Sequence, residues 1–169
     1  MEIKQTEITM KDEAYMALAL TLAQEAAQEG EVPIGAVVIL GDRVVGRGRN
    51  RREKEKNALC HAELEAINEA CRTLGGWRLW ECTLYVTVEP CPMCMGAILN
   101  ARIPRLVFGL RDHRTGACGS AADLRTIAYY HKIEVTEGIC QEASQQLMQT
   151  FFDELRTHQK PKWKPKERI

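Results

Sequence analysis

The sequence predicts an α/β layered domain in which a mixed five-stranded sheet is flanked by helices. Three observations lead there. Five short runs of strand length, most of them β-branched or apolar, are spread along the chain. Longer stretches with apolar residues at helical spacing lie between and around them. Glycine-containing turns punctuate the two kinds, and no segment repeats internally. Strands interleaved with helices bury best as a sheet covered by helices.

Thr9 can cap a first helix, with Asp12 in the capping-box position. Ala14, Ala17, Leu18, Leu22 and Ala26 continue it at helical spacing, and Gly30 stops it. Val32 to Leu40 is apolar apart from Pro33 and Gly35, as a strand covered on both faces should be. After the Gly41-Asp42 turn, Arg43 to Arg49 reads as a second strand nearer an edge, given its charges and glycines. Asn50 to Leu59 reads as a polar loop. A helix from His61 to Leu74 ends at Gly75-Gly76. Cys82 to Val88 is a buried strand, Cys91 to Ala101 a short helix, and Arg105 to Gly109 a further strand. Leu110 to Ala122 reads as a loop and Asp123 to Tyr130 as a short helix. Ile133 to Thr136 is the fifth strand, and Gln141 to Arg156 the terminal helix.

A chain of 169 residues, 45% hydrophobic and 27% charged, suits one globular domain. Lys plus Arg and Asp plus Glu are both 23, so net charge selects no partner. Distribution says more. Six basic residues (Arg156, Lys160, Lys162, Lys164, Lys166, Arg168) stand against Glu167 alone near the C-terminus, and seven against three acids over Asp42 to Lys56. Such clusters suit either a polyanion contact or a solvated loop and tail. The longest apolar run, Val32 to Leu40, is too short to cross a bilayer, so no membrane partner is expected. The charged opening Met1 to Lys11 carries no apolar signal region. A cytoplasmic location is expected, where a close cysteine pair reads as metal-binding or catalytic.

The chemistry centres on His61-Ala62-Glu63 and Pro90-Cys91-Pro92-Met93-Cys94. One imidazole and two thiols make a three-ligand zinc site, which leaves a fourth position for water. Cys91 and Cys94 share one helix face, and the helix N-terminus favours their thiolates. Pro90 fits just ahead of that helix. His61 also sits at a helix start, so two N-termini can converge on one cation. Glu63, two residues on, does not share the His61 face in a regular helix, which disfavours chelation by both. It is the expected proton carrier.

These two motifs resemble the zinc-dependent nucleobase deaminases. The resemblance implies a three-layer α/β/α, cytidine-deaminase-like fold, one zinc per subunit, and hydrolytic loss of a ring amine. Glu31 to Val37, Gly48-Arg49-Asn50, Phe108 to Ser120 and Phe151-Phe152 resemble, more narrowly, the bacterial tRNA adenosine deaminases, which convert wobble adenosine of an anticodon to inosine. The likeness runs from about Glu13 to Leu155. It implies a tRNA anticodon stem-loop as substrate and a homodimer. It also implies that Asn50 holds the flipped base or its ribose, that Val32 and Pro33 line the pocket, and that Asp112 and Phe152 touch flanking nucleotides. A deaminase domain over 7–157 and a basic, mobile tail over 158–169 follow.

The alternatives stay open at this point. Asn50 could cap a loop, Asp112 could pair with Arg111 or Arg114, and Phe151 and Phe152 could be core or dimer contacts. The run Asn57-Ala58-Leu59-Cys60 departs from the family's pattern before its histidine, as does the basic tail. A deaminase of a small base such as cytosine or guanine, or of a nucleoside or nucleotide, would share fold and metal. A non-catalytic zinc module that binds RNA would not need Glu63.

Overall fold

The computed structural model describes residues 2–127 and 129–158. In chain order the elements are α1 (Glu2–Gln28), β1 (Gly35–Leu40), β2 (Arg43–Arg49), α2 (Arg52–Glu55), α3 (Ala62–Leu74), β3 (Cys82–Val88), α4 (Pro92–Asn100), β4 (Arg105–Leu110), a 3₁₀ turn at Leu124–Thr126, β5 (Glu134–Glu137) and α5 (Gln141–His158). The strands form one sheet in the order β2-β1-β3-β4-β5. β1 runs antiparallel to both β2 and β3, while β3, β4 and β5 are mutually parallel neighbours. This is the mixed five-stranded sheet that the sequence predicts.

Side-chain alternation divides the core into two layers. Ala36, Val38, Leu84, Val86, Leu106 and Phe108 face one side, where they pack with Ala62, Ala66 and Ala70 of α3 and Met95 and Ile98 of α4. Val37, Ile39, Tyr85 and Val107 face the other, against Met16 and Ala19 of α1. α5 packs against β4 and α1. Central strands covered on both faces need apolar residues at successive positions, which is why β1, β3 and β4 read as continuous runs.

Three glycines bring the helices onto the sheet. A Cβ on Gly35 would lie 2.0 Å from the Ala19 carbonyl oxygen of α1. On Gly46 it would lie 2.1 Å from the Ala66 oxygen, and on Gly48 2.0 Å from the Ala62 oxygen, both in α3. The alanines at 62, 66 and 70 recur every four residues, so α3 presents a smooth stripe to the bare backbone of β2. Glu65 and Glu69 lie beside that stripe. Their carboxylates accept hydrogen bonds from the Arg49 (3.5 Å) and Arg47 (3.1 Å) amides of β2, which are not paired with β1.

Several boundaries differ from the sequence reading. The first helix begins at Glu2, so Thr9 lies inside it and not at its start. Asp12 is not a capping-box residue. It is 2% exposed and accepts hydrogen bonds from Arg105 (2.7 and 2.9 Å) and Tyr85 (2.8 Å). The strand expected from Val32 starts at Gly35, because Pro33 lacks an amide donor and the Ile34 amide turns back to the Val32 carbonyl at 2.8 Å. The polar loop after Asn50 contains α2, whose Glu53 and Lys54 amides are capped by the buried carboxylate of Glu31. The helix expected over Asp123 to Tyr130 is only the 3₁₀ turn, opened by the Asp123 side chain.

The basic surplus over 42–56 is locally compensated. Arg49 pairs with Glu25 (3.2 Å) and Glu29 (2.9 Å), Arg51 with Glu55 and Glu65, and Lys54 with Glu29. Three acids distant in sequence but adjacent in the fold, Glu25, Glu29 and Glu65, offset most of the surplus of four. The tail from 159 onward lies outside the described residues, as does the expectation of its mobility. No helix among the described residues is long and apolar enough to cross a membrane.

Candidate metal centre and active site

Two helix mouths open at one end of the sheet. His61 is the N-cap of α3 and Cys91 the N-cap of α4, each with an extended backbone (φ −85°, ψ 150° and φ −71°, ψ 170°). Pro90 lies just ahead of the N-cap, as expected, and Pro92 occupies the first helical turn, where its missing amide costs nothing. Because His61 precedes the helix, its direction is not set by helical spacing. That lets the imidazole turn toward α4 while Glu63 enters the protein from the first turn of α3.

The three predicted ligands meet. His61 Nδ1 lies 3.8 Å from Cys91 Sγ and 3.5 Å from Cys94 Sγ, and all three donor atoms fall within 4.8 Å of one another. A tetrahedral ion with ligand bonds of about 2.3 Å to sulfur and about 2.0 Å to nitrogen separates those atoms by about 3.6 Å. The donor spacing and the N/S₂ chemistry therefore fit a zinc-type ion, and among the described residues this is the group that could hold one.

The electrostatics suit a thiolate pair. Cys91 is lowered to about 4, chiefly because the Cys94 thiol donates to it, with His61 helping. Cys94 is correspondingly raised, by that same bond, by burial and by Glu63. The two sulfurs share one proton, so the shifts belong to the pair. His61 is also raised, first by its bond to Cys91. Cys82 and Cys118 are pushed by burial up to about 11 and about 12, and neither belongs to the three-donor group.

Glu63 is 4% exposed, and burial raises its carboxyl above the ordinary range. Its carboxylate accepts from the Cys94 thiol and feels both His61 and Cys91. A buried carboxyl raised above its ordinary range beside a metal cradle is equipped to accept and return a proton.

The predicted pocket residues divide. Asn50 is 5% exposed, its amide nitrogen directed to the Val32 carbonyl (3.4 Å) and its oxygen to the Arg52 amide (3.4 Å). So Val32, Pro33 and Asn50 form one corner, and Asn50 also helps cap α2. Asp112 folds onto its own loop, accepting from the amides of Arg114 (2.9 Å) and Thr115 (3.3 Å) and from the Thr115 hydroxyl. Burial pushes its carboxyl up, but these bonds outweigh that and hold it below the usual range. Arg111 pairs with Glu137 at 2.7 Å instead. Phe152 stands on α5 at 37% exposure with its ring edge-on to Phe151, and shares no ring contact with His61.

Two buried acids escape the sequence reading. Glu31 pins the segment leading to His61, and Glu89 lies between β3 and Cys91. An acid closing the apolar run of β3 is the signal for Glu89.

A three-donor N/S cradle beside a buried carboxylate, at the mouths of two helices on this sheet, defines a hydrolytic base deaminase. The chain belongs to the MafB19-like deaminase family, which it matches over residues 10–156. It is 42% identical over 151 residues to a tRNA-specific adenosine deaminase of Bacillus subtilis (strain 168), covering 89% of this chain and 94% of that one. A structure from a study of A-to-I editing by tRNA:A34 deaminases superposes with a TM-score of 0.74 at 39% identity, over 79% of this chain and 98% of the other. A guanine deaminase from Nitrosomonas europaea shares the fold, with a TM-score of 0.69 at 22% identity over 82% and 83% of the two chains.

Proposed function

We propose that this protein is a zinc-dependent tRNA adenosine deaminase that converts the wobble adenosine of an anticodon to inosine. The observation that carries the reading is the convergence of His61, Cys91 and Cys94 with Glu63 buried beside them. His61 Nδ1 and the two thiolates would hold the ion. When bound, zinc supplies a Lewis acid that makes water nucleophilic near neutral pH. Glu63 would take one proton from the attacking water and give it to the ring nitrogen, then take the second from the hydroxyl added to the ring carbon and give it to the amine, which leaves as ammonia as the ring carbonyl forms. Asn50, Val32 and Pro33 receive the flipped base, while Asp112 and Phe152 meet its neighbours.

The choice of RNA over a free base rests on the likeness to the tRNA deaminases, which are far more similar in sequence than the guanine deaminase. An anticodon loop also suits a closed pocket, since its bases are already unpaired and cost less to splay out. The reading includes a homodimer, a cytoplasmic location, a catalytic domain over 7–157 and a basic tail that adds phosphate contacts.

The test incubates the zinc-loaded protein with a minimal anticodon stem-loop bearing wobble adenosine, in parallel with free adenosine, cytosine and guanine. Inosine should appear in the stem-loop. Ammonia released only from the small molecules would refute the RNA reading, and RNA binding without inosine would leave a non-catalytic zinc module.

A further inference from the structure

Glu89 is a buried carboxylate that the chemistry above does not use. It is 3% exposed and follows the last residue of β3, two residues before Cys91. One oxygen accepts from the Cys118 amide (2.8 Å) and the Ser120 amide (3.2 Å). The other accepts from the Asp112 amide (3.0 Å) and the Ser120 hydroxyl. All four donors come from the loop that carries Asp112.

The loop is moulded to this acid. A Cβ on Gly116 would lie 2.4 Å from Glu89 Cδ, so only glycine lets the chain pass over the carboxylate. The Ala117 amide bonds to the Pro90 carbonyl at 2.8 Å, and the Glu89 amide to the Leu110 carbonyl at 2.8 Å. The Cys91 arm and the Asp112 loop therefore meet at one side chain. Four donors converging on two oxygens fit an acceptor-only group, which an amide of the same size cannot imitate.

We propose that Glu89 is a positioning residue that holds the 112–120 loop in its substrate-receiving shape against the metal arm. It acts on substrate binding through Asp112, not on the ion and not on proton transfer. This rests on the deaminase reading for its effect on substrate, while the clamp itself is a property of the free protein.

Glu89→Gln replaces one acceptor oxygen with a donor facing two donors. Removing charge-assisted bonds of this kind weakens what they support by about 10- to 100-fold. Steady-state kinetics on the anticodon stem-loop should show KM raised by about that factor with kcat nearly kept. Bound zinc per chain should match the parent. Hydrogen exchange at the Asp112, Cys118 and Ser120 amides should quicken while that of the Met95 amide, which bonds to Cys91 within α4, does not. Ser120→Ala removes one donor and should give the same pattern more weakly, and it serves if Glu89→Gln does not fold. Parent-like KM and exchange in the folded variant would overturn the proposal. So would loss of kcat together with zinc. If the parent itself never deaminates the stem-loop, the functional reading fails, while the exchange data still decide whether Glu89 clamps the loop.

Discussion

At the scale of single residues, the proposed reaction divides its chemistry between Glu63 and the two cysteines of the three-donor group. Glu63 contacts Cys94 but completes no three-donor group, so its removal should spare the ion. Glu63→Ala is expected to keep zinc and stem-loop affinity while turnover falls by about 10²- to 10⁴-fold, the usual contribution of a general acid–base group. Zinc analysis, RNA titration and an inosine assay check this, and a variant that still makes inosine at the parent's rate removes Glu63 from its role. The shared proton of Cys91 and Cys94 gives a second expectation. Cys91 is already ionised well below neutrality, so zinc should displace about one proton per chain, from Cys94. Because His61 is raised, the number released should grow as the solution is made mildly acidic. Calorimetry in buffers of different ionisation enthalpy measures it. Asp12 offers a test away from the site. It is almost wholly buried against Arg105 and Tyr85, so Asp12→Ala leaves a part-buried guanidinium with only the longer contact to exposed Glu134 (3.8 Å) for its charge. A loss of about 3 kcal/mol in denaturant unfolding is expected.

At the scale of elements, the placement of α3 on β2 matters most. Ala62 lies between His61 and Glu63, and its carbonyl is the atom that a Gly48 Cβ would strike. Gly48→Ala should therefore push the start of α3 away from the sheet. It is expected to cost about 1–3 kcal/mol of stability, as overpacking does, and to weaken zinc binding in the same variant. Thermal unfolding and a competitive zinc titration test both halves. Unchanged zinc affinity would mean that the helix mouth moves independently of its stripe. The strands were legible because two-sided burial leaves continuous apolar runs, and the helix stop at Gly75 because it takes a left-handed conformation (φ 69°). The start of α1, the cap on α2 and the true role of Asp12 were not. The cap on α2 and the role of Asp12 depend on partners far along the chain, Glu31 and Arg105, that no local pattern reveals.

For the whole molecule, the metal trio and Glu63 were readable from spacing alone, since both motifs lie at helix starts. The loop that carries Asp112 was readable only by resemblance. Its shape depends on Glu89, and its aspartate turns inward onto Arg114 and Thr115. The charge pattern was the least reliable guide. The basic run over 42–56 is met by Glu25, Glu29 and Glu65 from other elements, which leaves the C-terminal run as the largest local cationic excess in the sequence. Deleting residues 159–169 should accordingly weaken stem-loop binding at low salt and flatten its salt dependence, by a slope on the order of 0.7 for each phosphate that the tail neutralises. The kcat at saturating RNA should be unchanged. An identical salt slope with and without the tail would remove it from the RNA surface.

The edge of the sheet carries one more consequence. An outermost strand with free amides is a template on which another chain can add and aggregate. In β2 the amides of Arg47 and Arg49 are already held by Glu69 and Glu65. The helix that carries Glu63 thus also occupies the outward amides of this edge strand. Variants that trade Glu65 and Glu69 for neutral residues should retain the catalytic groups yet come out of solution sooner on storage.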